Sequence, residues 1–223
     1  MLFSAILLVV SLYLILYVTL SVPAVQTRIK TEVEKEVSAF LGGSVRIENL
    51  VVKPFNEVVI SGLRVYGPDG KRCLYVETLG AGISLWRLWS ERKIEITYGE
   101  IIGLNADISQ SQEGGPLNIA FIIDAFKPKE PGKPPAKFDL KLRNVVLRRC
   151  AASFNREWQP LKNTPGTDFN HLSLSDLKAD INVPRLKNDD FVIDLRRLAF
   201  KLSGGFQVEK IALRTHIPAA FCW

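Results

Sequence analysis

Catalysis and metal binding start with side chains that ionise, coordinate or attack, and few in this chain are spaced for it. The three cysteines, Cys73, Cys150 and Cys222, are far apart and odd in number. That pattern indicates neither a disulfide framework nor a zinc site. His171 and His216 fall in strand-like stretches beside no cysteine or paired carboxylates. Asp168 and His171 form the one close carboxylate–histidine spacing, but they follow the turn-like "TPGT" and lack the third group that would make a base and its orienter. Asp189-Asp190, beside Asn188, reads as a turn rather than an acid/base couple. No Gly-rich dinucleotide loop, phosphate loop or nucleophile elbow is present. The chain is therefore not expected to be an enzyme, and no cofactor or metal is expected. It should act by binding, holding or conducting something along a surface.

The charge balance narrows the partners. A formal net charge of +6 would suit nucleic acid, an anionic membrane or a solvated basic face. The cations are scattered along strands, as in Lys137, Lys141 and Arg143 or Lys201 and Arg214, with no nucleic-acid-binding motif beside them. A solvated face is the expectation, and no nucleic acid partner.

The elements that must carry any binding surface begin with an anchor. Between Leu2 and Val22 there is no charged residue and no histidine. At 1.5 Å per residue the run spans about 30 Å, the thickness of a hydrocarbon core. A cleaved signal peptide is the competing reading. It fits less well because no basic residue precedes the run and Ser21-Val22-Pro23 is poor cleavage chemistry. Residues 1–22 are thus expected to be a transmembrane anchor. Lys and Arg near its ends occur only on the C-terminal side, at Arg28, Lys30 and Lys35, which by itself points the body to the cytoplasm.

Residues 23–43 read as a short amphipathic helix. Pro23 suits its first turn, Val25, Ile29, Val33 and Val37 make an apolar stripe, and Gly42-Gly43 ends it. Packing on the following sheet is expected, with a lipid-surface role as the alternative. A first β segment then fills 44–126: Val45 and Ile47, Val58 and Ile60, Leu63 and Val65, with "GPDG" as a turn leading to Leu74 and Val76. "SLWRLWSERK", with Trp86 and Trp89 three apart, predicts one or two helical turns, and "LNIAFIIDAF" a short helix. The Pro- and Lys-rich "KPKEPGKPPAK", 127–137, reads as a linker. The second β segment, 138–223, alternates at Phe138, Leu140 and Leu142, then at Val145 and Leu147 on a register shifted by a bulge. It continues through Leu177 to Val183 and Phe191 to Ile217. Both halves repeat strand, loop, strand with one apolar side.

Several stretches taken together resemble the N-terminal part of the TamB family, the AsmA-like translocation and assembly proteins, in their Bacteroidetes-type form. They are the anchor with "VQTRI", "LGGSVRIENLVVKPFNEVVISGLRVYGPDGKRCLYV", "LNIAFIIDAFK", "TPGTDFNHLSLSDL" and "SGGFQVEKIAL". The resemblance implies one inner-membrane helix and a periplasmic body of β-strands rolled into an open groove with an apolar concave side. That topology runs against the charge count, and it is the one expected here. The resemblance also implies a part in outer-membrane biogenesis: conducting phospholipid between the two membranes or, alternatively, assembling outer-membrane proteins with a barrel partner of the TamA type. Family members are several times longer, and "HIPAAFCW" lacks a continuing strand pattern, so the chain is expected to be a truncated part of a longer protein.

The expected fold is therefore mainly β: a transmembrane helix and an amphipathic helix, then an antiparallel sheet rolled toward an open apolar groove. Candidate groove residues, taken from the alternating faces, are Val45, Ile47, Ile60, Leu140, Leu142, Ile181, Ile193, Phe200 and Leu213. A closed sandwich core built from the same positions is the competing arrangement.

Overall fold

A computed structural model of the chain describes residues 2–53, 57–83, 94–125, 138–139, 144–162, 166–187 and 190–218. The expected turns at Trp86 and Trp89, the linker 127–137 and groove candidates Leu140 and Leu142 lie outside these. Helices α1 (Leu2–Ser21) and α2 (Pro23–Leu41) come first. Then follow β1 (Ser44–Arg46), β2 (Asn49–Lys53), β3 (Glu57–Tyr66), β4 (Arg72–Ile83) and β5 (Ile94–Gln110). A short helix, α3 (Ala120–Ala125), precedes β6 (Phe138–Asp139), β7 (Asn144–Arg156), β8 (His171–Lys187), β9 (Asp190–Leu202) and β10 (Gln207–Pro218).

The strands form one open sheet in the order β1-β3-β4-β5-β7-β8-β9-β10, with β2 beside β3 and β6 beside β5. The sheet is mixed, which corrects the all-antiparallel expectation: β5 runs parallel to both β6 and β7. A parallel neighbour needs a crossover, and the long connection containing α3 carries the chain back to the start of β5. The bulge expected between Leu142 and Val145 falls on residues 140–143, outside the described residues.

α1 holds no acidic residue in its first turn, no basic residue in its last, and no charge between. Among the described residues, which include only some of the side chains of α1, no helix is long and apolar enough to cross a membrane. The anchor therefore belongs to the functional proposal and not to the described fold. Val22, in an extended conformation, separates α1 from α2, and Pro23 opens α2. Gly42 closes it in the left-handed conformation (φ 73°), its N–H donating to the Ser38 carbonyl at 2.9 Å.

Ile29, Val33, Val37 and Leu41 of α2 pack on a core of Val45, Ile47, Leu50, Val65 and Cys73, joined from α3 by Ile119, Phe121 and Ile122. Two polar residues of α2 also hold the sheet edge. The Val45 N–H donates to Ser38 Oγ at 2.9 Å and the Ile47 N–H to Glu34 Oε1 at 2.6 Å. Unpaired edge groups of β1 are thereby satisfied by the helix.

The sheet keeps its apolar residues on one face by a shared irregularity. In β3, Val58, Ile60, Leu63 and Val65 all reach the same core although the spacing changes parity between Ile60 and Leu63. Gly62, between them, has φ +64°. Such a residue resets the alternation, as a bulge does. The same level of the sheet carries Gly103 in β5 (φ 65°), Arg149 in β7 (φ 52°) and Asp176 in β8 (φ 52°). In β10 the register shifts between Val208 and Ile211. The seam thus runs from the gap between β1 and β2 to the far edge.

An added Cβ at Gly62 would displace the exposed Glu48 carboxylate from its pair with Arg64 and would hold an L residue at φ +64°, where its backbone is strained. Gly62→Ala should lower stability by about 1–3 kcal/mol in chemical unfolding. At Gly80 an added Cβ meets Glu100 only at 3.8 Å, so Gly80→Ala should be neutral or slightly stabilising. Equal effects at the two sites would contradict the seam.

Candidate functional site

The residues singled out for chemistry are placed structurally. Asp168 Oδ1 accepts the Asn170 N–H at 2.9 Å, while Oδ2 accepts the Lys162 N–H at 3.1 Å and lies 3.0 Å from His171 Nδ1. These bonds tie the loop between β7 and β8. The backbone donors Asn170 and Lys162, with help from His171, hold the Asp168 carboxyl down at about 2. Cys73 and Cys150 are buried and free. The Cys73 thiol donates to the Val65 carbonyl at 3.4 Å, and burial pushes its pKa up, so it is a packing residue rather than a nucleophile. Cys222 and Asp189 lie outside the described residues, as does the side chain of His216. Among the described residues no group of three His, Cys, Asp or Glu could hold a metal ion.

What the fold does assemble is a continuous apolar face. Residues paired across a sheet share a face, so the register lists its rows. One row runs Leu50–Ile60–Leu79–Ile101–Leu147–Ala179–Leu198–Ile211. Another runs Val52–Val58–Ala81–Gly99–Val145–Ile181–Leu195–Leu213. Beyond the seam a third runs Val45–Val65–Leu74–Ala106–Ala152–Leu174–Leu202. Every member is apolar or glycine. Where the chain would drift off this face, a bulge returns it: Arg196 and Arg197 form the extra step in β9 that keeps Leu195 and Leu198 in adjacent rows.

Cover on this face is uneven. Over β1 to β4 it lies under α2 and α3. No helix among the described residues packs on β7 to β10. Exposure rises accordingly toward the free edge: Ala179 is 2% exposed, Ile211 41% and Leu213 58%. The groove candidates therefore separate into two groups. Val45 and Ile47, 3% and 5% exposed, are core residues beneath α2, and Ile60 packs against the same core. These three present no free groove, because α2 fills the space above them. Ile181 and Phe200 are half-buried, and with Leu213 they sit on the uncovered part. Ile193 lies in β9 opposite Thr215, its side chain outside the described set.

The opposite, outer face is polar and braced by ion pairs along the seam: Glu48 with Arg64, Glu77 with Arg149 at 3.2 Å, and Asp176 with Lys201 at 2.9 Å. Lys201 draws the Asp176 carboxyl below its usual range. Arg64 and Arg72 also stack over Tyr75, 5.5 and 5.9 Å from the ring centre. Sequence reasoning did not pick out Arg149 or Asp176. Their signal was present as breaks in the apolar alternation, between Leu147 and Cys150 and between Leu174 and Leu177. The exposed apolar residues Leu161, Phe169 and Phe206, near the loops joining β7 to β8 and β9 to β10, were also not picked out.

No family model matches this chain, and no curated protein matches it. The resemblance to TamB proteins accordingly rests on the quoted stretches alone.

The depressed Asp168 pKa sets a pH dependence. Because the folded value of about 2 lies below the ordinary 3.8, its contribution to loop order is fully present above about 4 and is lost as pH falls through about 2. Amide exchange at Lys162 and Asn170 should accelerate over that window. Asp168→Ala should make exchange fast already at neutral pH and remove the dependence; unchanged exchange would show that the carboxylate does not hold the loop.

Proposed function

We propose that this chain is a membrane-tethered β-sheet module that holds an acyl chain on the uncovered face of β7 to β10, as one station in conducting phospholipid between membranes. The observation that carries the reading is the continuity of the apolar rows. They pass without a polar interruption from the sealed core under α2 to the exposed edge at Ile211 and Leu213. Placing a sixteen-carbon chain in water costs on the order of 12 kcal/mol. A continuous apolar strip keeps the tail dry while the head group stays in solvent, lowering the transfer barrier without any catalytic group.

The uncharged run over 1–22 serves in this reading as a single inner-membrane anchor, with the body in the periplasm as the TamB resemblance implies. α1 touches both α2 and β2, so it would join the membrane to the covered end of the sheet order. The rolled groove and the onward path for lipid belong to the same proposal.

One observation favours a second reading. β10 pairs with β9 on one side and with no strand among the described residues on the other, whereas Ser38 and Glu34 of α2 accept the Val45 and Ile47 N–H groups at the β1 edge. An open edge can add a client strand by main-chain pairing, which is what an assembly factor for outer-membrane proteins working with a TamA-type barrel would need.

Photocrosslinking residues introduced at Ile181, Phe200 and Leu213 in cells should yield phospholipid adducts, and those at Val45 and Ile47 should not. Protein adducts concentrated along β10, abolished by proline in that strand, would favour assembly instead. A monodisperse body with no adduct at any position would leave only a tethered structural module and end both readings.

A further inference from the structure

The outer face of β8 to β10 carries a feature that acyl binding on the other side does not use. Ala199 lies in the middle of β9 with Lys178 opposite it on β8. Arg197 and Lys201 flank it two residues away along β9, and the bulge between Val208 and Ile211 sets Lys210 beside it on β10. Two strand residues span roughly 7 Å and neighbouring strands lie about 4.8 Å apart. Four cationic side chains therefore leave the backbone around one small residue, within reach of a common point above it. They border a depression of about 500 Å³. Ala199 adds a single methyl to its floor, where a longer side chain would fill it.

Charge in this depression is unbalanced. Asp176 is bound to Lys201, Glu209 borders the hollow, and Asp180 stands opposite Arg197 on β8, so four cations face three carboxylates. The remaining positive charge sits on exposed side chains free to turn inward.

We propose that this hollow is a binding site for a phosphate group, presented by a lipid head group or by a soluble phosphate compound. A tetrahedral dianion accepts charge-assisted hydrogen bonds from several directions at once, and a guanidinium with surrounding ammonium groups supplies them. Ala199, Phe200 and Val208 supply only part of the lining, and the charged residues around them favour an anion over a cation. The site is formed by the seam, because the bulges at Asp176 and at Glu209-Lys210 bring β8 and β10 cations level with Ala199. It stands independently of acyl binding, since it occupies the other side of the sheet.

The test uses the full chain in neutral detergent micelles, with pyrophosphate as the probe and amide NMR as the readout. Pyrophosphate should shift the amides of Lys178, Ala199 and Lys210, with an affinity that falls as salt is raised. Lys178→Gln with Lys210→Gln should weaken binding at least tenfold, while Lys53→Gln, on the opposite edge, should leave it unchanged. Asp176→Asn, which frees Lys201 and tolerates the left-handed backbone, should tighten it. Displacement of pyrophosphate by micelles doped with phosphatidylglycerol, and not with phosphatidylcholine, assigns the site to an anionic head group. Retention in both assigns it to a soluble phosphate compound. Absence of shifts at these amides, or equal binding by the double Gln variant, overturns the proposal.

Discussion

Strand side chains alternate with a period of two, and strands as long as β5 and β8, 17 residues each, keep one apolar face only while the chain holds its phase. A single unpaired residue inverts everything after it. Here the phase changes at a common level from β3 to β8; β9 keeps its alternation through Leu198, Phe200 and Leu202, and register shifts against β8 and β10 absorb the difference. Val58 and Ile60 give way to Leu63 and Val65 at Gly62; Val145 and Leu147 give way to Cys150 and Ala152 at Arg149. Because the breaks are aligned, the rows stay matched on both sides of the seam. A break without a matching break or register shift in the neighbouring strand would set apolar residues against polar ones. Left-handed backbone at a non-glycine residue is costly; Asp176 pairs with Lys201 on the neighbouring β9, and Arg149 reaches across β5 to Glu77 on β4. Being exposed, those pairs add little stability each. Their role is to fix which strand faces which.

From this common face follow the two environments of the molecule. Over the first strands α2 supplies an apolar stripe, and its Glu34 and Ser38 satisfy the edge of β1. One helix thus closes both a face and an edge. Farther along the sheet no helix among the described residues packs on the apolar face. Small residues such as Ala179 and Cys150 disappear between larger ones, while Ile211 and Leu213 at the border stay exposed. The gradient is a property of position in the strand order, since residues of the same type are buried at one end and open at the other.

A single-layer sheet also gives each strand two independent surfaces. β9 shows this most clearly: Leu198, Phe200 and Leu202 lie with the apolar rows, and Arg197, Ala199 and Lys201 alternate with them on the other side. The acyl strip and the anion site proposed above draw on opposite faces of β9.

Much of this was legible in the residue order. The uncharged N-terminal run, the stripe Ile29–Val33–Val37, the stop at Gly42, the turn at Gly67 to Gly70, the helix near Phe121 and the mainly β body all follow from local patterns, which depend on neighbours in sequence. Even the seam left its trace, as the parity changes between Leu147 and Cys150 and between Leu174 and Leu177. What the sequence could not decide was set by partners distant along the chain. The parallel pairing of β5 with β7 depends on where a long crossover returns. Whether Val45 or Leu213 is covered depends on which strands α2 lies over, since both residues have the same alternating, apolar surroundings. The gathering of Lys178, Arg197, Lys201 and Lys210 around Ala199 depends on the register of three strands. Local periodicity assigns a residue to a face; only long-range pairing assigns that face a neighbour, and it is the neighbour that separates core from surface and scattered charge from a site.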